Sequence, residues 1–419
     1  MYEVSDKYKE QIKKPVQCFM LRGKIGDVDF YRQNILDGSL SITNQCSEQN
    51  KVALGSVYIG ELKVTFLNLG KETWEDEEII IEEGLLLGDG TWEFIPIGSG
   101  PYHVTEANNC QFGVEITAYD NMAKFDIEFG LSAVTGTPFE LLSLACKNCN
   151  VEFGMSEDEV KKLCNGSKIL VMYANNDIQT YRDFIFWIAQ TCCCFATINR
   201  KGQLELRNYT QNIVDTLDIN HRFEGGSYSN FETKYTAITV KDMDVDIVSR
   251  YSVLSDTHLT YDLGANPFLQ SGIADEREQM RRNILEGLRV IKYAPFKMDV
   301  LCGALYDLGD IVCFPGGIGN DSKMSCIMHY NYVYDKSCTL EGYGKNPVLE
   351  GAKSKTDKEV AAVAAKNSEK ELQFYTFTNV NPIEIEDESY ADLVDIRFMS
   401  AKAGYVVFQA EILVCKASI

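Results

Sequence analysis

The sequence is short of the residues and patterns on which most enzymes and nucleic-acid binders depend. Only four histidines occur in 419 residues, His103, His221, His258 and His329. None stands in a local signature that would tie it to a thiol, as a cysteine nucleophile requires. There is no GxSxG, no HExxH and no distinct pair of carboxylates, so no catalytic constellation is expected and the chain is read as not an enzyme. GGIGNDSK, residues 316–323, departs in glycine spacing and terminal order from the phosphate loops GxxxxGKS and GxxxxGKT, and reads as a hairpin loop. Basic residues are outnumbered 61 to 40, for a formal net charge of −21. That excludes a grip on nucleic acid, because binding phosphate needs clustered Lys and Arg to displace counterions. The longest apolar run, residues 184–198, is broken by Gln190, Thr191 and Thr197 and falls short of the ~20 residues of a membrane helix. The opening MYEVSDKYKEQIKKP is charged and helix-like up to Pro15, unlike a signal peptide.

What is present describes a globular chain, 45% hydrophobic and 24% charged. Its length predicts several cores, about three domains at roughly 150 residues each. The acidity on its own keeps such a protein soluble. Fourteen cysteines, three of them consecutive, read as reduced, buried thiols made in a reducing cytoplasm. Cys146 and Cys149 have zinc-ligand spacing, with Cys164 and the triplet at 192–194 as conceivable partners. The second pair of a zinc site is missing, and positions three apart at a helix end share a face, so a buried structural role is expected. No cofactor or metal is anticipated.

The most legible stretch is DIQTYRDFIFWIAQTCCCFATINRKGQLELR, residues 177–207. Asn176 precedes Gln179 by three, the spacing of a capping box, which predicts a helix start there. Ile178, Tyr181, Ile185 and Ile188 then form one stripe, widened by Phe184 and Trp187. Small, β-tolerant residues follow from Cys192 to Ile198. Residues 199–202 supply turn chemistry, and Leu204 and Leu206 alternate with polar neighbours, so two paired strands are expected beside the helix.

Elsewhere the pattern is mostly strand-like, which makes the predicted fold class mainly β with α/β elements. Residues 1–130 read as a β-barrel or sandwich. Ser5 caps a short helix with Val4, Tyr8 and Ile12 on one face. Strands are expected at Ile42, 52–57, 62–67, 79–87 and 91–97, the last entered through Gly88-Asp89-Gly90. Another is expected where Phe112, Val114, Ile116 and Ala118 alternate with Gly113, Glu115, Thr117 and Tyr119. Residues 131–210 form a small α/β unit beginning with a helix from Pro138. Residues 211–350 are a second β-rich region, extended over 235–247 and from Lys297 to about Gly344. It carries a helical insertion at about 250–295, whose helix over 274–294 presents Met280, Ile284, Leu288 and Ile291 and ends at Pro295. Residues 351–371 read as a linker or solvated helix, and 372–419 as a C-terminal β segment too small to stand alone.

Asp242, Asp244 and Asp246 alternate with Met243, Val245 and Ile247, which predicts one acidic strand face, ordinarily a solvated one. They do not make a Ca²⁺ loop, since Ile247 stands where Gly is needed and Val253 where Glu is needed.

Five segments together, in this order, resemble the tail hub proteins of long-tailed phages and prophages of Gram-positive bacteria, the hub-like N-terminal portions of tail-associated lysins or tail fibre proteins. They are MYEVSDKYKEQIKKP, ILDGSLSITNQCSEQNKVALGSVYIGELKVTF, ITAYDNMAKFD, NNDIQTYRDFIFWIAQTCCCFATINRKGQLELR and YDLGDIVCF, and the resemblance spans roughly residues 1–350. It implies a homotrimer whose two barrel-like domains per chain make a six-part ring closing the distal end of the tail tube. The implied partners are other copies of itself, the distal tail protein, the tape-measure protein and receptor-binding or fibre proteins. A conduit through which DNA slides is best lined by like or neutral charge, and Asp242, Asp244 and Asp246 are the candidates for that wall. Two other classes are weighed: a cell-wall carbohydrate-binding adhesin using exposed aromatics such as Tyr375 and Phe377, and the N-terminal part of a cell-wall hydrolase, for which no catalytic domain is visible up to Ile419.

Overall fold

A computed structural model describes residues 1–347 except 49–50, 132, 174–177, 224, 243–246, 253–258 and 302. The chain divides into two compact units, Met1–Glu359 and Val360–Ile419, and every described residue lies in the first. The expected linker at 351–371 and the β segment at 372–419 lie outside the described residues. The fold is mainly β, 39% strand and 20% helix among the described residues.

In chain order the elements begin with α1 (Asp6–Gln11), β1 (Phe19–Ile25), β2 (Val28–Tyr31), β3 (Ser41–Gln45), β4 (Glu61–Phe66), β5 (Glu78–Leu86), β6 (Trp92–Pro96), β7 (Tyr102–Cys110) and β8 (Gly113–Asp120). A mixed part follows with β9 (Val134–Gly136), α2 (Pro138–Asn148), α3 (Glu157–Lys161), β10 (Leu170–Met172), α4 (Tyr181–Thr191), β11 (Cys194–Ile198) and β12 (Leu204–Asn208). Then come β13 (Ile213–Thr216), β14 (Ser227–Tyr228), β15 (Thr233–Asp242), β16 (Ile247–Ser252), β17 (Leu259–Asp262), α5 (Ala274–Arg289), β18 (Lys292–Tyr293) and β19 (Phe296–Val300). The last are β20 (Ile311–Phe314), β21 (Asn320–Cys326), β22 (His329–Val333) and β23 (Cys338–Gly342).

Strands from both β-rich regions belong to one 12-stranded sheet, which runs β14-β19-β23-β22-β3-β4-β8-β7-β5-β1-β2 with β6 also on β5. The regions meet at the antiparallel pair β3 and β22, where Thr43 stands opposite Asn331. Between β22 and β5 lie β3, β4, β8 and β7, yet the Tyr332 hydroxyl of β22 donates to the Glu83 carboxyl of β5. Arg32, next to β2, pairs at 2.5 Å with Asp335 in the turn after β22. The sheet therefore rolls back on itself and encloses a core that includes Phe30, Phe66, Leu85 and Ile116, each at most 1% exposed.

The module at 181–208 folds as its pattern predicts, with one correction. Thr180 caps α4, its side chain accepting from the Asp183 N–H while Asp183 accepts from the Thr180 N–H. The cap thus stands four residues after Asn176, which lies outside the described residues, and Ile178 is buried ahead of the helix instead of on its stripe. Phe184 stacks on Phe129 at 4.7 Å and meets Phe268 at 5.8 Å. β11 and β12 pair in register from Cys194 opposite Asn208 to Ile198 opposite Leu204.

Four other expectations differ from the structure. Residues 52–57 form no regular strand: the Tyr261 hydroxyl meets Leu54 N–H and the Tyr209 hydroxyl meets Ala53 C=O, while Gly55 N–H and Ser56 C=O bond the backbone of β11. α5 ends at Arg289, before Ile291 and Pro295, because the chain is already turning into β18. The stretch 235–247 is not one strand, since β15 ends at Asp242 and pairs antiparallel with β16 so that Asp242 faces Ile247. Phe112 is 63% exposed in the β7–β8 turn, whereas Ile116 and Ala118 are buried as their alternation requires.

Candidate functional site: a junction of five segments

The five segments that carry the resemblance are far apart in sequence and touch in space. The loop before β4 adds to β11, with Gly55 N–H donating to Cys194 C=O at 2.7 Å and Ala196 N–H to Ser56 C=O at 2.9 Å. Asn121, after β8, donates through Nδ2 to Gly202 C=O at 2.7 Å. From the same turn Arg200 reaches the Asp307 carboxylate at 2.8 Å, Tyr306 C=O at 3.1 Å and Pro96 C=O at 2.6 Å. Arg207 meets Asp310 at 3.1 Å. The N-terminal segment closes the group, since Tyr2 N–H donates to Leu305 C=O at 2.8 Å and the Arg200 guanidinium lies 4.8 Å over the Tyr2 ring.

Local chemistry places Arg200. Asn199 Oδ1 accepts from the N–H groups of Lys201 and Gln203, an Asx turn that reverses the chain. Gly202 completes it at φ +78, and a Cβ there would come within 2.6 Å of Pro101 and 2.8 Å of Asn121. No side chain fits between the turn and the rolled sheet, and Arg200 is held pointing into the seam.

The seam is a compensated ionic cluster. Arg200 and Asp310 are 7% and 3% exposed, and the Met1 ammonium lies 2.5 Å from Asp310. Burial pushes Asp307 up, but Arg200, Arg207 and the ammonium outweigh it and hold its carboxyl below the usual range. Burial opposes the charge on Arg207, and Asp310, Asp307 and Glu205 more than restore it. Buried charge is tolerated in this form, paired and hydrogen-bonded.

Two further acids are buried in or beside the rolled sheet with no cation among the described residues bonded to them. Burial pushes Glu83 up to about 7 against the hydrogen bond from Tyr332. Burial likewise pushes Asp120 up to about 7, although it accepts from Ser99 Oγ at 2.6 Å and from Met122 N–H at 3.0 Å. Ser99 and Asp120 are 4% and 1% exposed, so this hydroxyl and carboxylate have no access to a substrate.

The sequence-level candidates lie elsewhere. Asp242 ends β15 with its side chain outside the described residues, as are Asp244 and Asp246 entirely. Cys146 and Cys149 are buried at the end of α2, and burial pushes their thiols up to about 12 and about 11. Among the described residues no three His, Cys, Asp or Glu side chains are grouped to hold a metal ion. In the triplet, Cys193 has φ +56 and sits beneath Gly287, where a Cβ would lie 2.9 Å from its Sγ, so this thiol packs against α5. Residues 315–319 are the hairpin loop between β20 and β21. His103 bonds Asn121 at 2.9 Å and His221 bonds Asp218 at 2.9 Å; His258 lies outside the described residues. No described helix is long and apolar enough to cross a membrane.

Sequence reasoning missed Arg200, Arg207, Asp307, Asp310 and Glu83. A signal existed for Glu83, which continues the inward alternation of Ile79, Ile81 and Leu85. For the other four none did, because their pairing joins positions about a hundred residues apart.

No family model matches the chain, and no curated protein matches it. Solved structures do. The chain is similar to the 43 kDa tail protein of prophage MuSo2 from Shewanella oneidensis, at TM-score 0.46 and 10% identity, over 77% of this chain and 97% of that one. It is similar to the tail protein from Neisseria meningitidis MC58, at TM-score 0.46 and 9% identity, over 77% and 96%. It is similar also to prophage tail protein gp18 from Listeria monocytogenes EGD-e, at TM-score 0.48 and 12% identity, over 79% and 96%. Each of the three is described as a tail protein, two of them from prophages.

Proposed function

We propose that this chain is a structural component of a phage tail tip, a hub that closes the distal end of the tail tube. One observation carries the reading: the segments that resemble tail hubs are the ones that clamp one another into the junction, so what they share with hubs is a way of holding a β scaffold together. The chain acts as one third of a homotrimeric ring, with its two β-rich regions contributing to a six-part annulus. It meets the distal tail protein, the tape-measure protein and the receptor-binding or fibre proteins, and it is assembled in the bacterial cytoplasm. The surplus of acidic residues leaves the wall of the conduit without a brake on DNA. Large apolar subunit contacts supply the energy, and no bond-making step is required of it.

Gold-labelled antibody against this chain, applied to purified particles, is expected to decorate the distal end of the tail; decoration elsewhere, or none, overturns the proposal. The non-enzymatic part is tested separately by a zymogram on purified cell wall, which is expected to stay turbid. Clearing by the 419-residue chain would make it a hydrolase.

A further inference from the structure

Glu83 lies on the inner face of β5 between Ile81 and Leu85, 8% exposed. Among the described residues, Tyr332 is the one donor to its carboxyl, and the bond is made through Oε1. The groups facing it are Tyr330 and Tyr332 of β22, Tyr334 and Asp335 in the turn that follows, and, at longer range, Arg200. Asp335 opposes a charge on Glu83 and is itself paired with Arg32. Arg200 favours a charge, but its guanidinium is bonded to Asp307. The Tyr330 ring lies parallel to Tyr332 at 6.4 Å, and its buried hydroxyl has no hydrogen-bond partner among the described residues. This environment suits a neutral carboxyl. A carboxylate here would accept one hydrogen bond and leave its other oxygen unserved.

We infer that Glu83 and Tyr332 form a proton-operated latch: the neutral carboxyl holds β5 against β22 across the interior of the rolled sheet, and loss of its proton to solvent releases the contact. The direction follows from linkage. Closed, the acid titrates at about 7; opened to water it titrates at the ordinary value of a glutamate, near 4.5. Between those values the closed form holds a proton that the open form has lost, so rising pH favours opening. The two β-rich regions are then joined by a contact that tightens in mild acid, in addition to the permanent ladder between β3 and β22. The latch belongs to the single chain and does not depend on the ring.

The test is amide hydrogen exchange of the full chain in β5 and β22, corrected for the intrinsic pH dependence of exchange. Opening is expected to rise roughly tenfold between about pH 6 and about pH 8. Glu83→Gln should abolish the rise, and Asp120→Asn should leave it in place. A flat wild type, a rise that persists in Glu83→Gln, or one that Asp120→Asn removes would each overturn the latch. If Glu83→Gln does not fold, the ¹³C-carboxyl titration of Glu83 in the wild type decides: a midpoint near 7 supports the latch, and one near the ordinary 4.5 sinks it.

Discussion

The molecule is stitched by two polar contacts of opposite character. At the junction, Arg200 and Arg207 meet Asp307 and Asp310, and each charge has a counter-charge and directional hydrogen bonds. Inside the rolled sheet, Glu83 has among the described residues only a phenol bonded to it. The difference teaches how burial is offset: one seam keeps its charges because they are paired, and the other stays intact by remaining neutral. Acid therefore weakens the first and rising pH weakens the second. Asp307, held below its usual range, contributes stability above its unfolded value that is lost as pH falls through its folded one. Glu83, raised, has the reverse sign.

The largest effect is expected from Asp310→Ala. It removes the buried carboxylate hydrogen-bonded to Arg207, and the stability read from urea unfolding should drop by about 3–5 kcal/mol at unchanged m-value. A loss below about 1 kcal/mol would mean that the junction is not a buried network. Next comes the pH dependence. Wild-type stability should fall as pH rises from about 4.5 to about 7, by up to about 3 kcal/mol for Glu83, while Glu83→Gln loses that part and keeps the part owed to Asp120. Equal slopes in both proteins would show that Glu83 is not neutral when buried. Thr180→Ala removes the cap of α4, which stands outside both seams, and should cost about 1 kcal/mol in thermal or urea unfolding with no change in either pH limb. Smallest is Glu278→Ala, which breaks an exposed pair with Arg282 on α5 and should stay within about 0.5 kcal/mol. A larger effect there would mean that α5 is covered in solution.

Local patterns were legible where the physics was local. Phe184, Ile185 and Ile188 announced a buried helical stripe, and the turn through Gly202 announced the β11–β12 hairpin. The cap was misplaced because Asn176 and Thr180 both offer the chemistry, and only packing chooses between them. Residues 52–57 looked like a strand because periodicity cannot tell a regular ladder from a run whose backbone groups are met partly by side chains. The β1–β2 hairpin escaped notice: its inward residues, Leu21, Ile25 and Phe30, are separated by Arg22, Lys24, Asp27 and Asp29. The junction was legible only as a likeness of five segments, and its chemistry became visible once the fold brought Arg200 to Asp307.

Whether the chain forms one part of a ring, as proposed, is decided by native mass measurement of the purified full chain at rising concentration. A species of three times the 47.2 kDa chain mass that persists on dilution is expected. A chain that remains a single copy at every concentration would contradict it.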